Sequence, residues 1–500
     1  MTHRQIETDV LIVGSGPVGA AFARTLVEGG REVLMVDAGP QLSRRPGAHL
    51  KNGFAYQRNH ERFGALVRAH LHPLAPAAPG PAEADAMISL EAGVATYAVG
   101  GMATHWTGVT PRHHPRVERA DTLPAEEWDA LYTDAEVLLG TRADLSEGAA
   151  SHRAVLAALR AEYTELPDPY RVQHLPMAAR RDPDHPALVH WSGADTVLGP
   201  LADGHPRFTL REQHLCRRLV REGPRIAWAE VEDLMTGQPL GVAADTVVVA
   251  CGAVLTPQLL HASGLRPPAL GRYLTEQPVG FCQVVLRDEV VGPAPFPDGD
   301  GDPNVWIPVS QERPWHCQVH RDLPYDGALP HPEVDDRLVV DLRWFGLVDP
   351  VRDNRVRFDD HARDAFGLPA PRFEFTLSAA DRERQRRMVR DLRRAAGALG
   401  PYLPGSEPRF VLPTLPLHIA GTVRMGHDER TSVVDRDSRV WGVDNLVLGG
   451  NGLIPTGNAS NPTLTSVATA LRAARRLLGA ADHTTGGRRA DERTRLPVPR

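Results

Sequence analysis

Apolar positions open the chain in two periods. Asp9 to Val13 is a short apolar run that predicts a strand, and Gly14 to Gly19 predicts a turn. From Ala20 to Glu28 the apolar residues recur at helical spacing and stop at Gly29-Gly30; Glu32 to Val36 predicts a second strand, ending at Asp37. Together these make a βαβ unit of ordinary length. Residues 40 to 90 are loop-rich, with a helix predicted around Glu61 to Leu71 and a Pro/Ala stretch from Pro73 to Pro81. Helical spacing returns over Glu126 to Leu139. Alternation then predicts strands at Arg207–Leu210, Gln213–Val220 and Arg225–Asp233, and Asp245 to Cys251 is apolar throughout, as in a strand buried on both faces.

A different pattern begins near Phe281. Longer alternating strands and one amphipathic helix, Ala379 to Leu399, run to about Val411. A last strand over Asn445 to Gly450 and a helix over Thr465 to Leu478 resemble the first portion again. The expected organisation is a first domain over 1–275 with insertions, a second over 276–411, and a return to the first over 412–480. The polar segment 481–500 is expected to be a mobile tail.

Composition narrows the function classes. The net charge is -6 with 24% charged residues, and no basic stripe points to nucleic acid. The run Arg386 to Arg394 has Met388 and Leu392 at helical spacing and reads as the solvated side of a helix. Cys216, Cys251, Cys282 and Cys317 form no CxxC and have no metal-ligand spacing, which argues against a disulfide framework or a metal site. No apolar run reaches a membrane span, and no charged-then-apolar leader pattern precedes the first strand, so a cytoplasmic protein is expected.

The chemistry begins at Gly14-Ser15-Gly16-Pro17-Val18-Gly19, between a strand and a helix. Gly14 permits the tight turn, Gly16 lets the backbone approach a pyrophosphate, and Gly19 lets helix and strand pack closely. Asp37, at the end of the next strand, can accept ribose hydroxyls. This predicts a dinucleotide site without separating FAD from NAD. Two further apolar strands end in small residues: Val247 to Ala253, around Gly252, and Asn445 to Gly452, around Asn451. Three such returns resemble the glutathione-reductase-like FAD fold; three core strands that merely end in glycine are the bland alternative. Near the C-terminus, His418 and Asn461 sit on separate turns in Gly-rich frames, His418-Ile419-Ala420-Gly421 and Gly457-Asn458-Ala459-Ser460-Asn461. With a bound redox cofactor, such a pair suits hydride removal from an alcohol: His418 takes the hydroxyl proton and Asn461, which does not titrate, holds the oxygen. A structural histidine bonded to a backbone carbonyl is the alternative for His418.

Longer motifs carry a family resemblance. Val99-Gly100-Gly101-Met102-Ala103-Thr104-His105-Trp106-Thr107, Leu274-Thr275-Glu276-Gln277-Pro278, Trp315-His316-Cys317-Gln318-Val319-His320-Arg321-Asp322 and Leu338 to Gly346 join the His418 and Asn461 frames. Together they resemble the glucose-methanol-choline (GMC) oxidoreductase superfamily, within it the pyranose oxidases, and most of all their short bacterial group with the C-glycoside 3-oxidases. The resemblance runs from about residue 8 to 478. It implies an α/β FAD-binding domain of Rossmann type and an α+β substrate-binding domain with a large, mainly antiparallel sheet. FAD is the implied cofactor, held by Gly14, Gly16, Gly19, Asp37, Gly252 and Asn451. Thr104, His105, Trp106 and Thr107 are placed at the isoalloxazine edge, and Gln213 and Cys216 at the adenine half. In the resembling enzymes the His of Thr-His-Trp is bonded to the flavin 8α-methyl, which implies a possible covalent link through His105; stacking or hydrogen bonding at the flavin edge is the alternative. Gln318, His320, Asp322 and Arg343 are the implied sugar-binding groups, unless Arg343 and Asp322 only brace one another.

The implied activity is oxidation of a pyranose or glycoside at C2 or C3, with dioxygen or a quinone as the acceptor. Oxidation of a primary sugar hydroxyl in aminoglycoside-type biosynthesis, and a redox-silent lyase of the same superfamily, are the competing readings. After Asp322 the sequence departs from the fungal relatives: Leu323-Pro324-Tyr325 replaces their aromatic loop, and Pro324 stiffens it. That change, and the short chain without an oligomerisation arm, suggest an open site for a glycoside and a monomer or dimer.

Overall fold

The computed structural model describes residues 4–74, 90, 93–185, 188–292, 294, 296–297, 300–321, 334–410 and 417–485. Strand β1 (Arg4–Val13) leads through the glycine turn into helix α1 (Pro17–Glu28) and returns as β2 (Val33–Val36). Helices α2 (Ala125–Leu139) and α3 (Ala150–Glu162) follow, then a two-residue strand β3 (Gln173–His174). Strands β4 (Phe208–Arg211), β5 (His214–Glu222), β6 (Arg225–Asp233) and β7 (Gln238–Val249) run into helix α4 (Gly252–Ala262). The second portion holds β8 (Val279–Val285), β9 (Val305–Ile307), β10 (Trp315–His320), β11 (Val339–Gly346), helix α5 (Ala379–Leu399) and β12 (Arg409–Phe410). Strand β13 (Leu446–Leu448) and helix α6 (Thr463–Thr485) close the chain's described part.

Seven strands form the first sheet in the order β5-β6-β7-β1-β2-β4, with β13 paired to β7. β1 pairs in parallel with β2 and β7, and β13 in parallel with the end of β7. The period of two along each strand sends alternate residues to opposite cores. Ile12, Met35, Val248 and Val447 pack under α1, α2 and α6, against Phe22, Leu26, Tyr132 and Leu471. Leu11, Val13, Leu34, Val249 and Leu448 pack on the other side with Leu259 and Leu260 of α4. Both faces are covered, which explains why these strands read as continuous apolar runs.

The second sheet is antiparallel throughout, in the order β12-β8-β11-β10-β9-β3. Its apolar face carries Cys282, Val284, Cys317, Val319, Leu342 and Trp344, packed on Met388, Leu392, Ala396 and Leu399 of α5. Val155, Leu156 and Leu159 of α3 join the same core. Strand β3 and helix α3 therefore belong with this sheet although they precede residue 276. The expected contiguous division at 275/276 misses them because their pattern is short and their partners are more than a hundred residues away.

Where the sequence reading placed an element its type mostly agrees and the ends differ, but helices α3 and α4 were not read. Helix α5 spans the predicted Ala379–Leu399, started by a capping box in which Ser378 and Asp381 bond each other's backbone N–H groups. The helix expected over 61–71 stops at Arg68, and Leu71–Pro73 turns into a short strand. Helix α6 continues past 480 to Thr485. The Pro/Ala stretch beyond Leu74 and the tail beyond residue 485 lie outside the described residues.

One polar residue of α5 is no part of its solvated side. Asp391 Oδ2 accepts the indole N–H groups of Trp315 and Trp344, both at 2.8 Å, and a guanidinium N–H of Arg313. The Tyr163 hydroxyl donates to Asp391 Oδ1 at 3.1 Å. This carboxylate ties helix, sheet and α3 together inside the apolar core. Asp391→Ala would strand a buried guanidinium and two indole donors, at a cost of about 3–5 kcal/mol. We expect a clear fall in the urea midpoint followed by tryptophan fluorescence; an unchanged midpoint would remove Asp391 from the core's polar accounting.

Candidate active site

Three strand ends meet at one edge of the parallel sheet. Val13 lies opposite Val249, and Val249 opposite Leu448, so the turns after β1, β7 and β13 are neighbours. Gly14 has φ 101°, and a Cβ there would stand 2.6 Å from Ala250 O. At Gly19 a Cβ would meet Gly14 O at 2.0 Å, so the helix can approach the turn only without a side chain. Around Gly16 a Cβ would come no nearer than 4.0 Å to anything, and around Gly252 it would meet no atom within 4 Å. The first turn of α1 has no side-chain cap. Free N–H groups facing an open space at a helix N-terminus suit a pyrophosphate.

Asp37 stands beside that turn. Its Oδ2 accepts from Ser15 N at 2.9 Å and Ser15 Oγ at 2.6 Å, and its Oδ1 from Gly39 N at 2.8 Å. Burial raises its pKa, against the pull of these bonds. Ser15 Oγ also accepts from Gly100 N at 2.9 Å, which draws the 99–107 loop onto the cradle. Gln213 and His214 donate backbone N–H groups to Gly39 O and Asp37 O. Cys216, two residues on, points into the core, 3% exposed. Asn451 Oδ1 accepts from Ser466 Oγ at 2.7 Å, at the start of α6.

In the 99–107 loop, Thr104 is buried and its hydroxyl donates to Gly101 O at 2.8 Å. His105 Nε2 lies 2.9 Å from Thr96 Oγ1, and burial lowers its pKa to about 4. Trp106 Nε1 donates to Ser192 O at 2.7 Å, and Thr107 is half-buried. This loop therefore presents a neutral imidazole next to the glycine cradle.

His418 and Asn461, 43 positions apart, meet: Asn461 Nδ2 and His418 Nε2 are 3.2 Å apart. A residue the sequence reading did not single out sets the histidine. Gln277 Nε2 donates to the backbone oxygens of Asn458 and Ser460, both at 3.0 Å, so its oxygen must face His418 Nδ1, at 2.7 Å. Nδ1 therefore carries the hydrogen, and Nε2 offers a lone pair. Two acidic side chains hold the turns that carry His418 and Asn461 by their backbones. Glu276 accepts from His418 N, at 3.0 and 3.1 Å, and from Gln277 N at 2.7 Å. Glu118 accepts from Ala459 N at 2.8 Å, Ser460 N at 2.7 Å and Ser460 Oγ at 3.0 Å.

The polar face of the antiparallel sheet forms the wall beside this pair. Cross-strand partners Gln318 and Arg343, His316 and Phe345, and His320 and Asp341 share that face. Gln318 reaches Asn461 at 2.8 Å and His320 at 2.8 Å. Arg343 pairs with Asp341 at 3.2 Å, and Asp341 also accepts from Gln283 at 2.7 Å. Asp322, and the Leu323–Tyr325 segment behind the loop argument, lie outside the described residues. His316 was missed, yet its signal was in Trp315-His316-Cys317-Gln318-Val319-His320, where alternation puts three polar residues on one face. His113 was missed as well; it is 1% exposed with neither ring nitrogen bonded among the described residues.

This geometry agrees with what the chain is similar to. Models of GMC oxidoreductase domains match residues 176–279 and 350–470, and an FAD-binding domain model matches 7–53. A pyranose 2-oxidase of Emericella nidulans is 38% identical over 96% of this chain and 94% of its own. The chain belongs to the GMC oxidoreductase family. A C-glycoside 3-oxidase of Arthrobacter globiformis is also 38% identical, over 94% of each chain. A crystal structure of pyridoxine 4-oxidase from Mesorbium loti shares the fold, with TM-score 0.68 and 20% identity over 94% of this chain and 99% of the other.

As a GMC oxidoreductase the protein is an FAD-dependent enzyme, and the open glycine cradle, the uncapped helix and the neutral His105 fit that cofactor. Of the described helices, none is long and apolar enough to cross a membrane. Burial also shifts the ionisable groups of this site. Burial, with a smaller contribution from His113, lowers His418 to about 3, well below the 6.5 of a solvated imidazole. Burial raises Glu276 to about 8, against the backbone N–H groups of Gln277, His418 and Leu417. An imidazole with so low a pKa loses its lone pair only as pH falls through about 3. We therefore expect kcat/KM for flavin reduction to stay flat between about pH 5 and 7. Stopped-flow reduction across that range checks this; an acid limb with a midpoint near 6.5 would mean that His418 titrates as if solvated.

Proposed function

We propose that this enzyme oxidises a secondary hydroxyl of a pyranose or glycoside to a ketone. The observation that carries this reading is the fixed tautomer of His418, whose Nε2 lone pair faces Asn461 beside a wall of sugar-compatible groups. Bound FAD supplies the hydride acceptor. His418 Nε2 takes the hydroxyl proton, while Gln277 holds the ring from behind. Asn461 completes the site on the other side of that nitrogen. Gln318 and His320 are nearly fully buried and bonded to their neighbours, so they brace the wall behind Asn461, and Arg343 is the proposed group for a further hydroxyl; a site built around such groups rejects ligands that lack them. Relatives named pyranose 2-oxidase and C-glycoside 3-oxidase support the sugar class. Among these, we favour C3 of a glycoside, including C-glycosides. The sequence Leu323-Pro324-Tyr325 departs from the aromatic loop of the fungal enzymes it resembles, and an apolar aglycone can add contact area that a free sugar does not have. Dioxygen or a quinone is the proposed final acceptor.

The test is anaerobic addition of D-glucose and of phenyl glucosides, O- and C-linked, to the holoenzyme. Bleaching of the flavin is expected, faster with at least one glucoside, with a 3-ketone seen by NMR. A flavin that no sugar bleaches would overturn the oxidoreductase role on sugars; glucose preferred and oxidised at C2 would overturn the glycoside assignment. His418→Ala should keep FAD and slow reduction by about 10²–10⁴, the range for losing a general base.

His105 carries a separate proposal. A neutral imidazole is the nucleophilic form, and burial keeps His105 in it. We propose a covalent bond from a ring nitrogen of His105 to the flavin 8α-carbon, which would form with loss of the imidazole proton and one 8α-methyl proton; the electron pair would remain on the flavin and pass to the proposed acceptor, dioxygen or a quinone. Acid-precipitated wild type should give a yellow pellet, and His105→Ala a colourless one with yellow supernatant. A colourless wild-type pellet would exclude the bond and leave the sugar-oxidase reading untouched.

A further inference from the structure

The loop that carries His105 is gripped from behind by an earlier piece of chain, residues 47–52. A Cβ on Gly100 would stand 2.6 Å from Gly47 Cα, so the two backbones lie in contact. Two residues on, His49 is 1% exposed and stacks on Phe63 and Trp191, with ring centroids 6.1 and 5.6 Å away. Its Nε2 lies 3.0 Å from Trp106 O, and its Nδ1 lies 3.1 Å from Lys51 N. Asn52 clips the backbone of Trp191, donating to its O at 2.8 Å and accepting from its N at 2.9 Å. The next residue, Ser192, takes the Trp106 indole N–H on its backbone oxygen at 2.7 Å. Trp106 is therefore held at its carbonyl by His49 and at its ring by the stretch that Asn52 fastens.

Both bonds of the His49 ring go to backbone groups, whose roles are fixed. A backbone N–H only donates, so Nδ1 accepts from Lys51 N. A carbonyl oxygen only accepts, so Nε2 carries the hydrogen and donates to Trp106 O. Each contact by itself requires the same neutral tautomer, and an imidazolium would set a second hydrogen against the Lys51 N–H. Burial favours the same state: desolvation, with smaller contributions from Lys51 and His105, lowers the His49 pKa to about 3 against the pull of the Trp106 bond. Among the described residues, no other group donates to Trp106 O. Just before it, Met102 O accepts from His105 N at 3.1 Å and from Trp106 N at 3.0 Å. Met102 thus fixes the chain ahead of the Trp106 Cα, and His49 fixes it behind.

We propose that His49 is a positioning residue for the cofactor loop: its Nε2–H, given to Trp106 O, holds the loop in the shape that presents His105 to the flavin. The proposal rests on the reading of His105 as the flavin's covalent partner. Such a bond forms only if the attacking nitrogen is in register with its target, and a displacement of about 1 Å can cost about a hundredfold in rate. Without the His49 donor, Trp106 O loses its partner and the peptide between Trp106 and Thr107 is free to turn. The His105 ring keeps its contact with Thr96 Oγ1 at 2.9 Å, but the chain beyond it drifts. The same hold bears on FAD retention, because Gly100, in the same loop, is bonded to Ser15 of the glycine cradle.

Two substitutions separate the two bonds of His49. His49→Gln can place an amide N–H where Nε2 stands but loses the acceptor for Lys51 N; His49→Asn can keep that acceptor but cannot reach Trp106 O. Each variant is purified as holoenzyme and acid-precipitated, and flavin is measured in pellet and supernatant. The covalently held fraction should fall about fivefold or more in His49→Asn and stay within about twofold of wild type in His49→Gln. A His49→Asn pellet as yellow as wild type would overturn the proposal, since the donor would then be dispensable. Equal losses in both variants, with matching falls in the urea midpoint, would overturn it too, since ring packing alone would then matter. A colourless wild-type pellet ends the covalent reading only. The release of FAD on dilution, followed by its fluorescence, then decides: about tenfold faster release is expected in His49→Asn and near wild-type release in His49→Gln. Neutron diffraction from the deuterium-exchanged wild-type holoenzyme covers the case in which neither variant folds. Deuterium on His49 Nε2 is expected, and deuterium on Nδ1 overturns the proposal.

Discussion

Parallel pairing of β1 with β7, and of β7 with β13, is the constraint on which the rest of the structure depends. It aligns Val13, Val249 and Leu448 although more than four hundred residues separate the first from the last. Parallel strands end at the same edge, so the turns that follow them face one space. That edge is where Gly14–Gly19, Gly252 and Gly450–Asn451 lie. The His418 segment is tied to the same edge: Val423 N donates to Gly452 O, and the Thr422 hydroxyl to Ala253 O. A register slip of one residue in β7 would exchange its two cores and move the cradle away from the turns that carry His418 and Asn461.

The antiparallel sheet shows how one element serves stability and chemistry together. Its strands alternate, and the two faces have opposite tasks. Cys317, Val319, Leu342 and Trp344 bury apolar area under α5, while His316, Gln318, His320, Asp341 and Arg343 turn towards His418. Buried polar groups are costly without partners. The wall meets that cost by bonding its groups to one another, which also removes their freedom to reorient. Rigidity of this kind favours a site whose dipoles are already set when charge develops.

Burial acts on the ionisable groups of the site as well. His418, His105 and His316 are all driven towards the neutral form, chiefly by burial. A neutral His418 can accept a proton, and a neutral His105 has a nucleophilic nitrogen. The two acidic side chains near the pair, Glu276 and Glu118, take backbone N–H groups of the loops that carry His418 and Asn461. Their role is to hold two turns in place.

Short-range pattern was enough for much of this protein. The glycine turn after β1, the apolar run of β7, the amphipathic helix α5 and the Gly-rich frames around His418 and Asn461 are legible in sequence because each depends on neighbours a few residues away. The type of the longer elements that were read followed from their period, while helices such as Ala150–Glu162 and Gly252–Ala262 were not read at all; the family followed from motifs of nine or so consecutive residues. What sequence could not show were contacts across distance. Gln277 looks like any polar residue before a proline until Asn458 and Ser460 hold its amide. Asp391 looks like part of a charged helix face until two tryptophans and an arginine converge on it. Strand β3 and helix α3 lie far from the sheet they join. The periodicity of β10 placed His316 beside Gln318 and His320, but only the fold brought Trp306 to its other nitrogen. Sequence settles what a residue can donate or accept; tertiary structure alone decides which partner it meets, because a partner is chosen by position in space and most of these partners are distant along the chain.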